Sequence, residues 1–101
     1  MKVINLSEQP SLLNQYLKEL RSVDTQKDSM RFRRNIERIG EIMAVEISKH
    51  LHYTVEQVQT PLAVAEVAVP QDKVVVGTLL RAGLPMHQGF LNMFDKVENA
   101  F

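Results

Sequence analysis

Val74-Val75-Val76-Gly77-Thr78-Leu79-Leu80-Arg81-Ala82-Gly83-Leu84-Pro85-Met86 changes character twice. An apolar run gives way to arginine, alanine and glycine, and a proline then opens what reads as a helix. The pattern predicts a buried strand over Val74 to Leu80, a tight loop, and a helix from about Pro85 to Met93. Such a corner suits a phosphate group. Gly83 permits close backbone approach, the helix start offers free N–H groups and its positive dipole end, and Arg81 adds a permanent cation. The sequence predicts an anion there, although a plain strand-to-helix turn has the same outline.

Working outward, the unbroken hydrophobicity of Val74 to Leu80 predicts helices on both faces of that strand. Pro70 to Lys73 is a turn, and before it Tyr53 to Val58 and Leu62 to Val69 read as an antiparallel hairpin. Pro61 belongs at a strand start or an edge. Upstream, Phe32, Ile36, Ile39, Met43 and Ile47 recur at helical spacing and predict one continuous helix from Met30 to about Leu51, with all five facing the interior. Gly40 and Ala44 lie beside that stripe and would admit a close neighbour. Ser11 caps an earlier helix that ends near Ser22, and Asp24, Asp28 and Ser29 are available as caps in the turn between the two helices.

The chain has 101 residues, 45% of them hydrophobic and 24% charged, which describes one ordinary globular domain. Twelve basic and twelve acidic residues cancel, so the overall charge favours neither a nucleic-acid nor a membrane partner. Without cysteine there is no disulfide framework or thiolate metal site. With no signal-like apolar start and no run near the roughly 20 apolar residues of a membrane span, a cytoplasmic location is expected.

Other residues read more plainly. Arg31, Arg34 and Arg38 share a helix face with Glu37 and Glu41 nearby, which predicts a solvated surface laced with ion pairs. His50 and His52 are two apart and have no metal-site spacing. No catalytic residue and no metal ligand is assigned within this chain. His87, in the first turn after the loop, reads as a partly exposed helix residue that could face the anion.

The segment Leu79 to Leu84 resembles the pyrophosphate-binding loop of the uracil phosphoribosyltransferases, a type I phosphoribosyltransferase family. Thr25, Phe32-Arg33, and Glu46 within Met43 to Ile47 are similar to the same family's helical N-terminal region. The resemblance implies an α/β fold of which residues 1–101 form the N-terminal portion: a helical arm over 1–52, a hairpin over 53–69, and the strand, pyrophosphate loop and helix over 74–101. It also implies formation of UMP and pyrophosphate from uracil and phosphoribosyl pyrophosphate (PRPP), with Mg²⁺ bound to PRPP. Arg81, Ala82, Gly83 and Leu84 are then the PRPP pyrophosphate site, and loops of this class often carry a non-proline cis peptide beside the basic residue.

Two positions depart from the family pattern. Pro85 stands where glycine is usual, and Thr78 replaces a usual proline. The turn between Arg21 and Phe32 is also slightly longer. The later PRPP and uracil segments of the family lie beyond Phe101, so the chain reads as truncated and is expected to be inactive alone. Its strand is expected to lack a parallel neighbour, and the open edges suggest a homo-oligomer. Two other readings remain: another PRPP-binding pyrimidine phosphoribosyltransferase or regulator, and a non-catalytic self-associating module.

Overall fold

Ser11 begins the first helix as its sequence suggests. In the computed structural model, which describes residues 1–101, its hydroxyl accepts from the Leu13 amide at 3.2 Å and caps α1, Leu12–Arg21. A single 3-10 turn, Leu6–Glu8, precedes it. Between α1 and the next helix, the Thr25 hydroxyl donates to the Glu19 carbonyl at 2.8 Å and folds the turn back on α1. Of the available caps it is Asp28 that acts, accepting from the Arg31 amide at 3.0 Å to open α2, Ser29–Ser48. This satisfies one of the four otherwise unpaired N–H groups at the helix start.

Continuous α2 is the scaffold on which α1 and α3 pack, α3 being Leu84–Met93. Its inward face is narrower than the five-residue stripe implies. Ile39 is buried and Ile36 and Met43 are half-buried, while Phe32 and Ile47, near the two ends, are exposed. The buried set is instead Asn35, Ile39, Gly40 and Ala44, centred where α3 crosses. Small residues make that crossing possible: a Cβ on Gly40 would stand 2.7 Å from the Met86 carbonyl oxygen, and one on Gly89 would stand 2.2 Å from that of Glu37. Asn92 of α3 then donates to Glu37 and Glu41 at 2.9 and 2.8 Å.

Strands β1, Tyr53–Gln59, and β2, Val64–Pro70, form the expected antiparallel hairpin, with Tyr53 opposite Pro70 and Gln59 opposite Val64. Pro61 lies in the connecting turn, where the missing N–H costs no ladder bond. The hairpin stands away from the helices, since β1 is exposed throughout and β2 has only Ala65 and Val69 half-covered. Its base is closed by Asp72, whose carboxylate accepts from the His52 amide at 2.8 Å and lies 3.0 Å from His52 Nδ1.

The second sheet corrects three expectations. The strand predicted over Val74 to Leu80 is β3, Val75–Gly77. It does have a parallel neighbour, β4, Glu98–Ala100, in the register Val75–Glu98, Val76–Asn99 and Gly77–Ala100. The helix α3 between them has the length that returns the chain parallel to its start, the usual βαβ connection. Helices do not cover both faces of the strand, because Val74, Val76 and Thr78 are half-buried whereas Val75 and Leu79 are 56% and 88% exposed. An apolar run does not distinguish a two-sided strand from one covered on a single face. The chain is thus α/β, three helices with two small sheets, and no helix is long and apolar enough to cross a membrane.

Candidate functional site

The β3 strand hands over to the loop at Thr78, whose amide donates to the Ala100 carbonyl at 2.9 Å as the last rung of the ladder. The chain then turns through Leu80 to Gly83, and the Leu80–Arg81 peptide is cis, beside the basic residue as the resemblance implied. Gly83 directly precedes α3, and Pro85 falls in its first turn, where a missing N–H breaks no helical bond. Arg81 therefore lies between the end of the strand and the start of the helix. Its side chain is exposed and makes no ion pair.

Accounting for the loop's amides separates the four predicted site residues. Gly83 N–H donates to the Leu79 carbonyl at 3.1 Å and Leu84 N–H to that of Arg81 at 3.1 Å, so these two donors hold the turn itself. The amides of Arg81 and Ala82 have no acceptor in the chain, and neither does that of Met86. Free donors beside a guanidinium at a helix start make a site with electrostatic preference for an anion.

Gly83 serves sterics rather than a special backbone angle. Its φ of −76° is open to any residue. A Cβ there, however, would stand 2.8 Å from both the Leu79 carbonyl oxygen and Thr78 Cγ2. The turn can close this tightly only without a side chain.

His87 differs from its expected role. It is 6% exposed rather than open to the anion, and its Nδ1 is hydrogen-bonded to the Thr78 hydroxyl. The Phe101 ring lies against it, with centroids 5.3 Å apart and planes at 46°. Sequence reasoning missed this tie, because nothing in the spacing of a strand-end threonine and a helix histidine announces a contact across an intervening loop.

The cavities fit a phosphate less well than the loop amides do, including the one that reaches the loop at Thr78, Leu79 and Gly83. A gap of about 490 Å³ borders β3 and α3 but is lined mainly by apolar groups such as Val76, Met86, Phe90 and Phe94. Another of about 520 Å³ lies between the N-terminal segment and α2, where Glu8 and Glu46 are its only charged groups and would repel an anion. Nor does any group of three or more histidine, aspartate or glutamate side chains converge as a metal site. His52 is engaged with Asp72, and that contact, first through the His52 amide and then through its ring, lowers the Asp72 carboxyl below its ordinary value of 3.8.

The arginine face of α2 is laced with ion pairs as expected, with one addition. Arg34 pairs with Glu37 at 3.3 Å, while Arg31 reaches Glu19 of α1 at 3.5 Å. Arg38 stacks over Tyr16 at 5.5 Å and donates to Asn35, which is buried and donates to Glu19 at 2.7 Å. These contacts join α1 to α2 and leave Arg81 as the exposed cation of the loop.

Residues 7–100 match the family model described as uracil phosphoribosyltransferase. A uracil phosphoribosyltransferase of Porphyromonas gingivalis is 60% identical over the whole of this chain, which corresponds to 47% of that protein. One from Thermococcus sibiricus is 34% identical over 93% of this chain and 40% of its own length. The chain thus spans about half the length of the curated relatives it matches. A solved protein from Aquifex aeolicus superimposes with a TM-score of 0.74 over 90% of this chain and 43% of its own, at 20% identity, a likeness of fold.

Proposed function

From the chain's membership of the uracil phosphoribosyltransferase family, we propose that it supplies the pyrophosphate corner of an enzyme that makes UMP and pyrophosphate from uracil and PRPP. One observation carries this reading. An unpaired arginine and two free amides, those of Arg81 and Ala82, stand together between the end of β3 and the start of α3.

The reaction displaces pyrophosphate from the ribose C1 as uracil N1 bonds to it. The leaving group gains negative charge as its bond to C1 breaks. Donors already held in place stabilise that charge without reorganising during the step. Arg81 adds a guanidinium that can grip two phosphate oxygens at once. Gly83 and Leu84 belong to the site by holding its shape, since their amides are spent inside the turn. Mg²⁺, bound to PRPP, would neutralise further pyrophosphate charge. No carboxylate pairs with Arg81, which leaves the guanidinium free for phosphate oxygens.

This reading assigns the ribose and uracil contacts to the portion of the relatives that this chain does not span, so residues 1–101 alone should form no UMP. It places the protein in the cytoplasm and gives it a second copy of itself as partner. The hairpin supports the latter: alternation along the register puts Tyr53, Val55, Val64 and Ala68 on one exposed face and Val58, Val67 and Val69 on the other.

The deciding experiment supplies uracil, PRPP and Mg²⁺ to the purified complete gene product. Equal amounts of UMP and pyrophosphate are expected. Absence of UMP, or turnover of a different base in preference to uracil, would overturn the assignment. Light scattering on the same sample tests the oligomer, and a strict monomer at high concentration would refute it.

A further inference from the structure

Thr78 connects three elements at the foot of the loop. Its amide bonds to Ala100 of β4, its hydroxyl to His87 of α3, and its methyl carbon fills the space that a Gly83 Cβ would need. The two branches of one side chain thus touch the loop's glycine and the helix that follows. We propose that Thr78 and His87 form a positioning pair, which sets the Arg81 loop against the start of α3 and thereby tunes affinity for PRPP. The proposal rests on the pyrophosphate reading of that loop.

All four candidate site residues lie inside the segment that the Thr78–His87 bond closes. Within it the turn is held by two backbone bonds, Gly83 to Leu79 and Leu84 to Arg81. Packing adds little, because the side chains of Leu79, Leu80 and Arg81 are exposed. The Thr78–His87 bond is therefore the one side-chain hydrogen bond that anchors the loop's two ends to each other. It is also well placed to be rigid. His87 is buried with the Phe101 ring against it, and its amide bonds to the Gly83 carbonyl at 2.9 Å, so packing holds the ring while the first helical turn holds the backbone that carries it. With His87 buried and Thr78 half-buried, the bond is stronger than a fully exposed one. The pair makes no direct claim on the ligand, and its effect is exerted through where Arg81 and the free amides stand.

Four variants of the complete gene product separate this role from general stability. Thr78→Val keeps shape and methyl but loses the hydroxyl, whereas Thr78→Ser keeps the hydroxyl. His87→Leu removes the ring nitrogen that bonds the Thr78 hydroxyl, whereas His87→Asn can offer an amide near the Nδ1 position. Losing one part-buried hydrogen bond corresponds to about a tenfold effect. Thr78→Val and His87→Leu should therefore raise KM for PRPP about tenfold, with KM for uracil moving less than about twofold. Thr78→Ser and His87→Asn should recover most of the loss. Thr78→Val and His87→Leu combined should be no worse than either alone, because both remove the same bond.

Hydrogen exchange provides an arm independent of activity. The Gly83 and Leu84 amides should exchange about tenfold faster in Thr78→Val than in wild type, with α2 unchanged. An unchanged exchange rate would overturn the bond's anchoring role. Faster exchange with unaltered PRPP kinetics, or an equal loss for both substrates, would overturn its role in positioning. A wild-type protein that forms no UMP would instead sink the pyrophosphate reading itself, and the positioning role with it, while the exchange arm still decided whether the bond anchors the loop.

Discussion

Gly89 of α3 rests directly on Gly40 of α2, so close that a Cβ on Gly89 would stand 3.0 Å from the Gly40 Cα and 2.2 Å from the Glu37 carbonyl oxygen. The obstacle is backbone, which cannot rotate away. Alanine would add about 1 kcal/mol of helix propensity, yet overpacking a close contact costs about 1–3 kcal/mol, and contact with a carbonyl belongs at the upper end. Gly89→Ala should thus lose a net ~2 kcal/mol in urea unfolding of the complete gene product. Equal or greater stability would show that the helices separate freely.

A second stability test concerns the link from α1 to α2. Asn35 is 1% exposed and donates to Glu19 while accepting from Arg38. Asn35→Ala should cost about 1–3 kcal/mol, because it removes a buried amide and strips partners from two charged groups. Glu19→Ala should couple to it by about 1 kcal/mol in a double-mutant cycle. Strict additivity of the two losses would mean that the bond contributes nothing beyond its separate halves.

Much of this architecture is legible in the chain. Helix α2, the Ser11 cap, the hairpin and the loop follow from periodicity and turn chemistry, which are local properties, while Asp28 is one of three candidate caps. What remained hidden depends on contacts between distant segments. Periodicity marks the inward side of α2 but not how far α3 covers it, so Phe32 and Ile47 look like core and are exposed. Asn35 lies outside the predicted apolar stripe, yet it is buried, with Glu19 and Arg38 satisfying its amide.

The site shows the same division. The order of strand, loop and helix around Arg81, Ala82, Gly83 and Leu84 is readable along the chain, yet which amides stay free depends on the turn's internal bonds to Leu79 and Arg81. Strand β4 carries little signal, since Glu98, Asn99 and Ala100 have weak strand preference and pair because α3 returns the chain beside β3.

At the base of the hairpin, acid is the relevant condition. Asp72 is held below 3.8 first by the His52 amide and then by its side chain. A depressed carboxyl contributes stability above its unfolded value and loses it as pH falls through the folded value. The clasp should therefore persist at neutral pH and open only below 3.8. In His52→Ala the backbone donor survives, so the Asp72 midpoint by carboxyl NMR should rise only part of the way toward 3.8. A wild-type midpoint at or above that value would contradict the geometry.

Arg81 gives the sharpest test of the site. It lies between β3 and α3 with its guanidinium exposed and free of carboxylates, so its removal should leave the fold intact and change the field at the loop. Arg81→Ala in the complete gene product should forfeit a charge-assisted contact of ~1.5–3 kcal/mol, or about 10- to 150-fold in PRPP or pyrophosphate affinity. Uracil affinity should hardly move, because the base site is elsewhere in this reading. Arg81→Lys should fall between the two, since it keeps the charge but not the planar fork that grips two oxygens. Thermal midpoints should agree across all three proteins, an exposed loop side chain adding little to the core. If the alanine variant binds PRPP as wild type does, the free amides of Arg81 and Ala82 are not gathered around a phosphate, and the loop is an ordinary strand-to-helix turn.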